Sequence, residues 1–144
     1  MENKWRLDFL ILDTIASVRR GLGVNELSRM LRGRVSKVKL IEEIRKLSEE
    51  GLVRIKKDPR HKQRNLIVVD EKVLEAFDNI KINEETARDI GNLSEKLRSY
   101  IVTCSSYIST LTDPIIKKYA TYRLLRQFSE LMTSTLGVKG EIDF

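Results

Sequence analysis

Apolar residues return along this chain with two different periods, and the changes of period divide it into elements. From Trp5 to Arg20 the positions Leu7, Leu10, Ile11, Ile15 and Val18 recur every three or four residues, while Arg6, Asp13, Arg19 and Arg20 fall off that stripe. The spacing predicts a helix over 5–20 with one buried face. Gly21 and Gly23 predict its end, because glycine accepts the left-handed conformation that closes a helix. Asn25 is placed to cap a short second helix with Leu27, Met30 and Leu31 inward, and Gly33 predicts its stop. A third helix is predicted over Ser36–Glu50, capped by Ser36, with Leu40, Ile41, Ile44 and Leu47 turned inward. Projection at about 100° per residue puts Val38, Lys39, Glu42, Arg45, Lys46 and Glu49 on its opposite side.

Beyond Gly51 the period shortens. Leu52–Lys57 reads as a strand, Asp58-Pro59 as a turn in which proline presets the backbone angle, and Arg64–Val69 as the return strand. Helix, helix, helix and hairpin in this order is the layout of a winged helix, which offers its third helix to a DNA major groove and its hairpin to the flanking backbone.

The second half returns to helical spacing. Ile90, Leu93, Leu97, Tyr100, Cys104, Tyr107 and Leu111 alternate three and four apart, the pattern of a coiled-coil seam. Asn83 is a plausible cap, with Glu84 and Glu85 complementing the dipole of the first turn. Asp113-Pro114 breaks the run and opens a further helix over Pro114–Leu136. That helix carries Ile115, Tyr119, Tyr122, Leu125, Phe128 and Met132 on one side; Gly137 predicts its stop, and the tail beyond is expected to fray. The two helices can satisfy each other inside one chain, yet Ile116, Leu124 and Leu131 add apolar surface beyond a single stripe. The expectation is therefore a homodimer built on Ile90, Leu93, Leu97, Tyr100, Cys104, Tyr107 and Leu111 together with Tyr119, Tyr122, Leu125, Phe128 and Met132. Cys104, at a seam position, reads as a small buried apolar residue, with redox sensing as the alternative. The fold class is mainly α with a small β-hairpin wing, in two parts: a winged helix over 1–75 and a helical dimerisation region over 76–144.

Charge sharpens this division. Residues 1–72 hold 18 Lys/Arg against 11 Asp/Glu, or +7, while residues 73–144 hold 9 against 10, or −1. An excess confined to one part suggests a polyanionic partner. In the third helix the residues placed to meet DNA are Ser36 and Lys37 at the N-terminal turn, then Lys39, Glu42, Arg45 and Lys46 along the outward side. Glu42 has two readings: acceptor for a cytosine amino group, or partner of Lys46 within the helix. The hairpin carries Arg54, Lys56, Lys57, Arg60, Lys62 and Arg64 beside one acid, Asp58. Such a loop stays in water or meets phosphate, and Lys56, Lys57, Arg60, Lys62 and Arg64 are the expected phosphate contacts, with Arg60 and Lys62 at the tip near the minor groove. Edge strands also use Lys and Arg to prevent sheet-to-sheet association.

The run LSRMLRGRVSKVKLIEEIRKLSEEGLVRIKKDPRHKQRNLIVVDEK resembles the winged-helix core of bacterial and archaeal transcription regulators, most of all the multiple-antibiotic-resistance regulator (MarR) family. The resemblance rests on Leu47 and Gly51-Leu52-Val53 ending the third helix, Asp58-Pro59 in the wing, and Asp70-Glu71-Lys72 after the last strand. It covers about residues 7–75. It implies a homodimeric regulator that binds double-stranded DNA through the third helix and the wing. His61 and Gln63 stand where such wings usually carry an acid-x-arginine pair, and dimerisation through the C-terminal helices is similar to the PadR-like group.

Other chemistries find little footing. His61 is the only histidine and Cys104 the only cysteine, so neither a zinc pair nor an internal disulfide is expected. The sequence holds no HExxH, phosphate-binding glycine loop or dinucleotide fingerprint. Neither enzyme activity nor a cofactor is expected, and no effector is identified. The apolar runs are too short to span a bilayer and the start lacks a signal-peptide layout, so a cytoplasmic, nucleoid-associated protein is the expectation. Two alternatives stay open: an architectural or plasmid-maintenance DNA-binding protein, and a winged helix serving protein–protein assembly.

Overall fold

The structure, a computed structural model, describes residues 6–81 and 93–136, apart from the side chains of Lys62, Leu93 and residues 134–136. The described elements are six helices and one hairpin: α1 (Leu7–Ala16), α2 (Val24–Met30), α3 (Lys37–Glu49), β1 (Val53–Asp58), β2 (His61–Val69), α4 (Glu71–Asn79), α5 (Leu93–Thr110) and α6 (Pro114–Leu136). The chain divides into two compact units, Met1–Leu74 and Glu75–Phe144.

The first unit is a winged helix. Its core gathers Phe9, Ile11, Leu12, Ile15 and Ala16 of α1, Leu27 and Leu31 around α2, Leu40, Ile44 and Leu47 of α3, and Val53, Leu66 and Ile67 of the hairpin, all buried. Helix α1 is shorter than its periodicity predicts, and Phe9 and Leu12, off the expected stripe, are among its buried residues. Its early stop has a non-local cause. After Ser17 the chain tightens, with Val18 N–H donating to Ile15 O at 3.1 Å and Gly21 N–H to Val18 O at 2.9 Å. It then turns to bring Leu22 beside the hairpin. Leu22 and Ile67 exchange both backbone hydrogen bonds, at 3.0 and 2.7 Å, forming an isolated antiparallel bridge. Gly21 makes that approach possible. Its φ is +96°, and a Cβ there would lie 2.9 Å from Val68 Cγ1 and 3.1 Å from Leu66 Cβ.

Asn25 does not cap α2. The N-cap is Gly23, whose N–H donates to Glu26 Oε1 at 3.4 Å, so the cap is supplied from inside the helix. Met30, expected inward, is exposed on that short helix.

Strands β1 and β2 pair from Val53↔Val69 to Lys57↔Asn65, and a register shift then brings Asp58 opposite His61. The return strand begins at His61, three residues before the predicted Arg64, because the turn is confined to Pro59 and Arg60. The Asp58 carboxylate closes it by accepting from Arg60 N–H at 2.9 Å.

The second unit takes in the end of α4, then α5 and α6. Sequence periodicity missed α4, although Val73, Ala76 and Ile80 are fully buried at helical spacing and Asp70 accepts from Lys72 N–H at 3.2 Å. At its end lies the most buried charge among the described residues. Arg123 of α6 donates to the Ile80 carbonyl from Nε at 3.2 Å and Nη2 at 2.6 Å, and its guanidinium stacks 3.9 Å from the Phe77 ring centroid. Gln127 donates to the same carbonyl. A cation here meets the negative end of a helix dipole.

The α5–α6 junction follows expectation. Asp113 Oδ1 accepts from Ile115 N–H at 2.9 Å, and Pro114 takes the first helical position, where its missing N–H costs nothing. Of Ile116, Leu124 and Leu131, expected as surplus apolar surface, Ile116 and Leu131 are buried within the unit and Leu124 is half-buried. The two helices pack on each other.

Candidate nucleic-acid interface

Helix α3 is positioned by three features that its sequence supplies. Ser36 stands in extended backbone at the N-cap and its hydroxyl accepts from Lys39 N–H at 3.2 Å. Leu40, Ile44 and Leu47 anchor one face in the core. Gly51, with φ +77°, then lets the chain reverse into β1, Leu52 N–H donating back to Leu47 O at 2.9 Å.

Ile41 is a correction. Predicted inward, it is 50% exposed. Angular position explains this: the stripe through Leu40, Ile44 and Leu47 is narrow, and Ile41 lies about 90° from its centre. Val38, predicted outward, is 80% exposed. The outward face of α3 therefore carries two large apolar side chains among its charges.

Those charges are tied to one another. Lys39 Nζ lies 3.2 Å from Glu43 and 3.8 Å from Glu42, Lys46 Nζ 3.5 Å from Glu42, and Arg45 Nη1 2.7 Å from Glu49. The Glu43 hydrogen bond, then the charge of Glu42, raises the Lys39 pKa, so its ammonium is held charged. Of the two readings of Glu42, the structure shows the intrahelical pair with Lys46. Ser36 and Lys37 are exposed at the N-terminal turn, and Lys37 enters no ion pair among the described residues.

In the wing, Arg54, Lys56, Lys57 and Arg60 are exposed and likewise enter no ion pair among the described residues. Arg60 occupies the turn itself, while Lys62 falls within β2 rather than at the tip. Arg64 has a different place. It pairs with Glu26 of α2, which also lies 3.2 Å from Arg20, and its guanidinium sits against Gly23. Sequence reasoning missed the Glu26–Arg64 pair because the two residues lie on elements distant along the chain; the capping position of Glu26, three residues after Gly23, is the local signal that could have singled it out.

The residues expected to dimerise are distributed unevenly. Ile90 lies outside the described residues, as does the Leu93 side chain. Cys104, Tyr119 and Tyr122 are buried within the single chain, whereas Leu97, Tyr100, Tyr107, Leu111, Leu125, Phe128 and Met132 are half-buried. Burial pushes the Cys104 thiol and the Tyr100 and Tyr107 phenols up, so all three are neutral at physiological pH. A protonated, buried thiol is a poor nucleophile.

Among the described residues no cluster of His, Cys, Asp or Glu could hold a metal ion, and no helix is long and apolar enough to cross a membrane. No family model and no curated protein matches the sequence. Solved structures do resemble it. A MarR protein from Peptoclostridium difficile is 25% identical, with a TM-score of 0.44 over 93% of this chain and 74% of that one. The transcriptional regulator SlyA is 18% identical, with a TM-score of 0.45 over 93% of this chain and 80% of that one. A mutant of ZitR from Lactococcus lactis is 14% identical, with a TM-score of 0.44 over 85% of this chain and 71% of that one.

Proposed function

We propose that this chain is a transcription regulator that binds double-stranded DNA as a homodimer, α3 entering the major groove and the wing lying along the backbone. One observation carries the reading. An exposed helix face is followed directly by a hairpin whose Arg54, Lys56, Lys57 and Arg60 are exposed and enter no ion pair among the described residues. Cations left without carboxylate partners on a two-stranded ribbon suit a phosphate backbone, to which most protein–DNA hydrogen bonds go. The basic excess of residues 1–72 supplies the long-range attraction.

The two surfaces divide the work. The wing cations hold register without reading sequence, and the N-terminal turn of α3 faces the base edges. Lys39, Arg45 and Lys46 must exchange their glutamate partners for DNA groups, so each brings less net affinity than a solvated cation. Binding is measured by fluorescence anisotropy on a site selected from a random duplex pool and on unrelated duplexes. Reversing Lys57 and Arg60 together to Glu weakens both kinds of duplex alike, whereas Lys37→Ala narrows the gap between them. A chain that retains no duplex at low ionic strength ends the proposal.

A further inference from the structure

Charged side chains on the outward face of α3 are largely occupied with each other, and two large apolar side chains stand exposed among them. Val38 is 80% exposed and Ile41 50% exposed, one helical turn apart. At 100° per residue Val38, Ile41 and Arg45 fall within about 60° of one another, so the two apolar side chains form one strip rather than scattered points. Val38 lies in the first turn of α3, two residues beyond the Ser36 cap, in the part of such a helix that meets base edges. As a β-branched residue within a helix it is held near one rotamer, which fixes where its methyl groups point.

Among the base edges of the major groove, only thymine presents a methyl group. We propose that Val38 and Ile41 determine specificity by packing on thymine C5-methyl groups, so that the preferred half-site carries thymine opposite the first two turns of α3. This rests on the DNA-binding reading above. The surroundings favour a duplex as the occupant: the strip is bordered by Lys37 and Arg45, and the unit that carries it holds the basic excess of the chain. It also accounts for an α3 whose ion pairs leave few donors and acceptors free for hydrogen-bonded readout.

The probe is a site selected from a random duplex pool, made once with thymine and once with deoxyuridine, which removes the methyl groups and keeps every hydrogen-bonding atom. Burial of one methyl is worth about a fourfold change in Kd, so two contacted thymines give a loss of roughly 15-fold on deoxyuridine substitution. Val38→Ala and Ile41→Ala, surface changes to a better helix former, bind the two forms more nearly alike, and the double variant equally. Circular dichroism checks that all three variants fold. Equal binding of thymine and deoxyuridine duplexes by the unmodified protein overturns the proposal while leaving DNA binding intact. An equal thymine preference in the double variant overturns it too, as does a double variant whose only change is its state of association in sedimentation. Failure to retain any duplex sinks the DNA-binding reading instead, a result distinct from these.

Discussion

Single residues decide how closely the elements approach, and glycine shows it by contrast. Gly21 and Gly51 both have positive φ, +96° and +77°. Placing an L side chain in that region costs roughly 1–2 kcal/mol. At Gly51 nothing lies within 4 Å of an added Cβ, so Gly51→Ala meets the conformational penalty alone. At Gly21 the Cβ would meet Val68 and Leu66 side chains and the Ile67 carbonyl inside 3.3 Å, so the strand must shift as well. Gly21→Ala is therefore expected to destabilise clearly more than Gly51→Ala, by at least about 1 kcal/mol, an overpacking cost of the usual size. Urea midpoints of the two variants check this; equal losses would mean that the hairpin yields freely to α1.

At the scale of elements, capping chemistry is legible at α3 and α6 but not at α2, where Gly23 rather than Asn25 is the cap, and long-range pairing is not legible. Ser36 marked the start of α3 within one residue and Asp113-Pro114 the start of α6, because each cap satisfies its helix through neighbours in sequence. The tip of the wing was read as broader than it is, since the register shift that folds His61 back onto Asp58 leaves no local signature. The stop of α1 depends on Ile67 and the placement of Arg64 on Glu26, and neither partner can be inferred from nearby residues. Ile41 departs from expectation for a simpler reason: at about 100° per residue it stands about 90° from the centre of the stripe through Leu40, Ile44 and Leu47. Helix α4 went unseen because its buried residues follow directly on a strand. Its end now carries a prediction. Arg123→Met keeps much of the apolar stem and removes the donors to Ile80 O, and loss of charge-assisted hydrogen bonds from a buried group is expected to cost about 1.5–3 kcal/mol. Chemical denaturation measures it; a change below about 0.5 kcal/mol would show that Gln127 alone satisfies that carbonyl.

For the whole molecule, charge and oligomeric state become one measurable quantity. Lys37, Arg54, Lys56, Lys57 and Arg60 are the α3 and wing cations without ion pairs among the described residues. If each meets one phosphate, the log–log dependence of binding on salt has a slope of about −4 to −5 for one protomer and about −9 for a dimer on a two-fold site. Titrations at several salt concentrations separate the two, and a flat response rejects phosphate contact altogether. The expected dimer surface divides in the single chain: Cys104, Tyr119 and Tyr122 are buried, while Leu97, Tyr100, Tyr107, Leu111, Leu125, Phe128 and Met132 stay half-buried. The reciprocal backbone hydrogen bonds between Leu22 and Ile67 rivet the foot of the ribbon to the segment joining α1 and α2. Any motion of the Pro59–Arg60 tip relative to the helices would therefore have to break or bend those two hydrogen bonds, or be taken up in the strands beyond them.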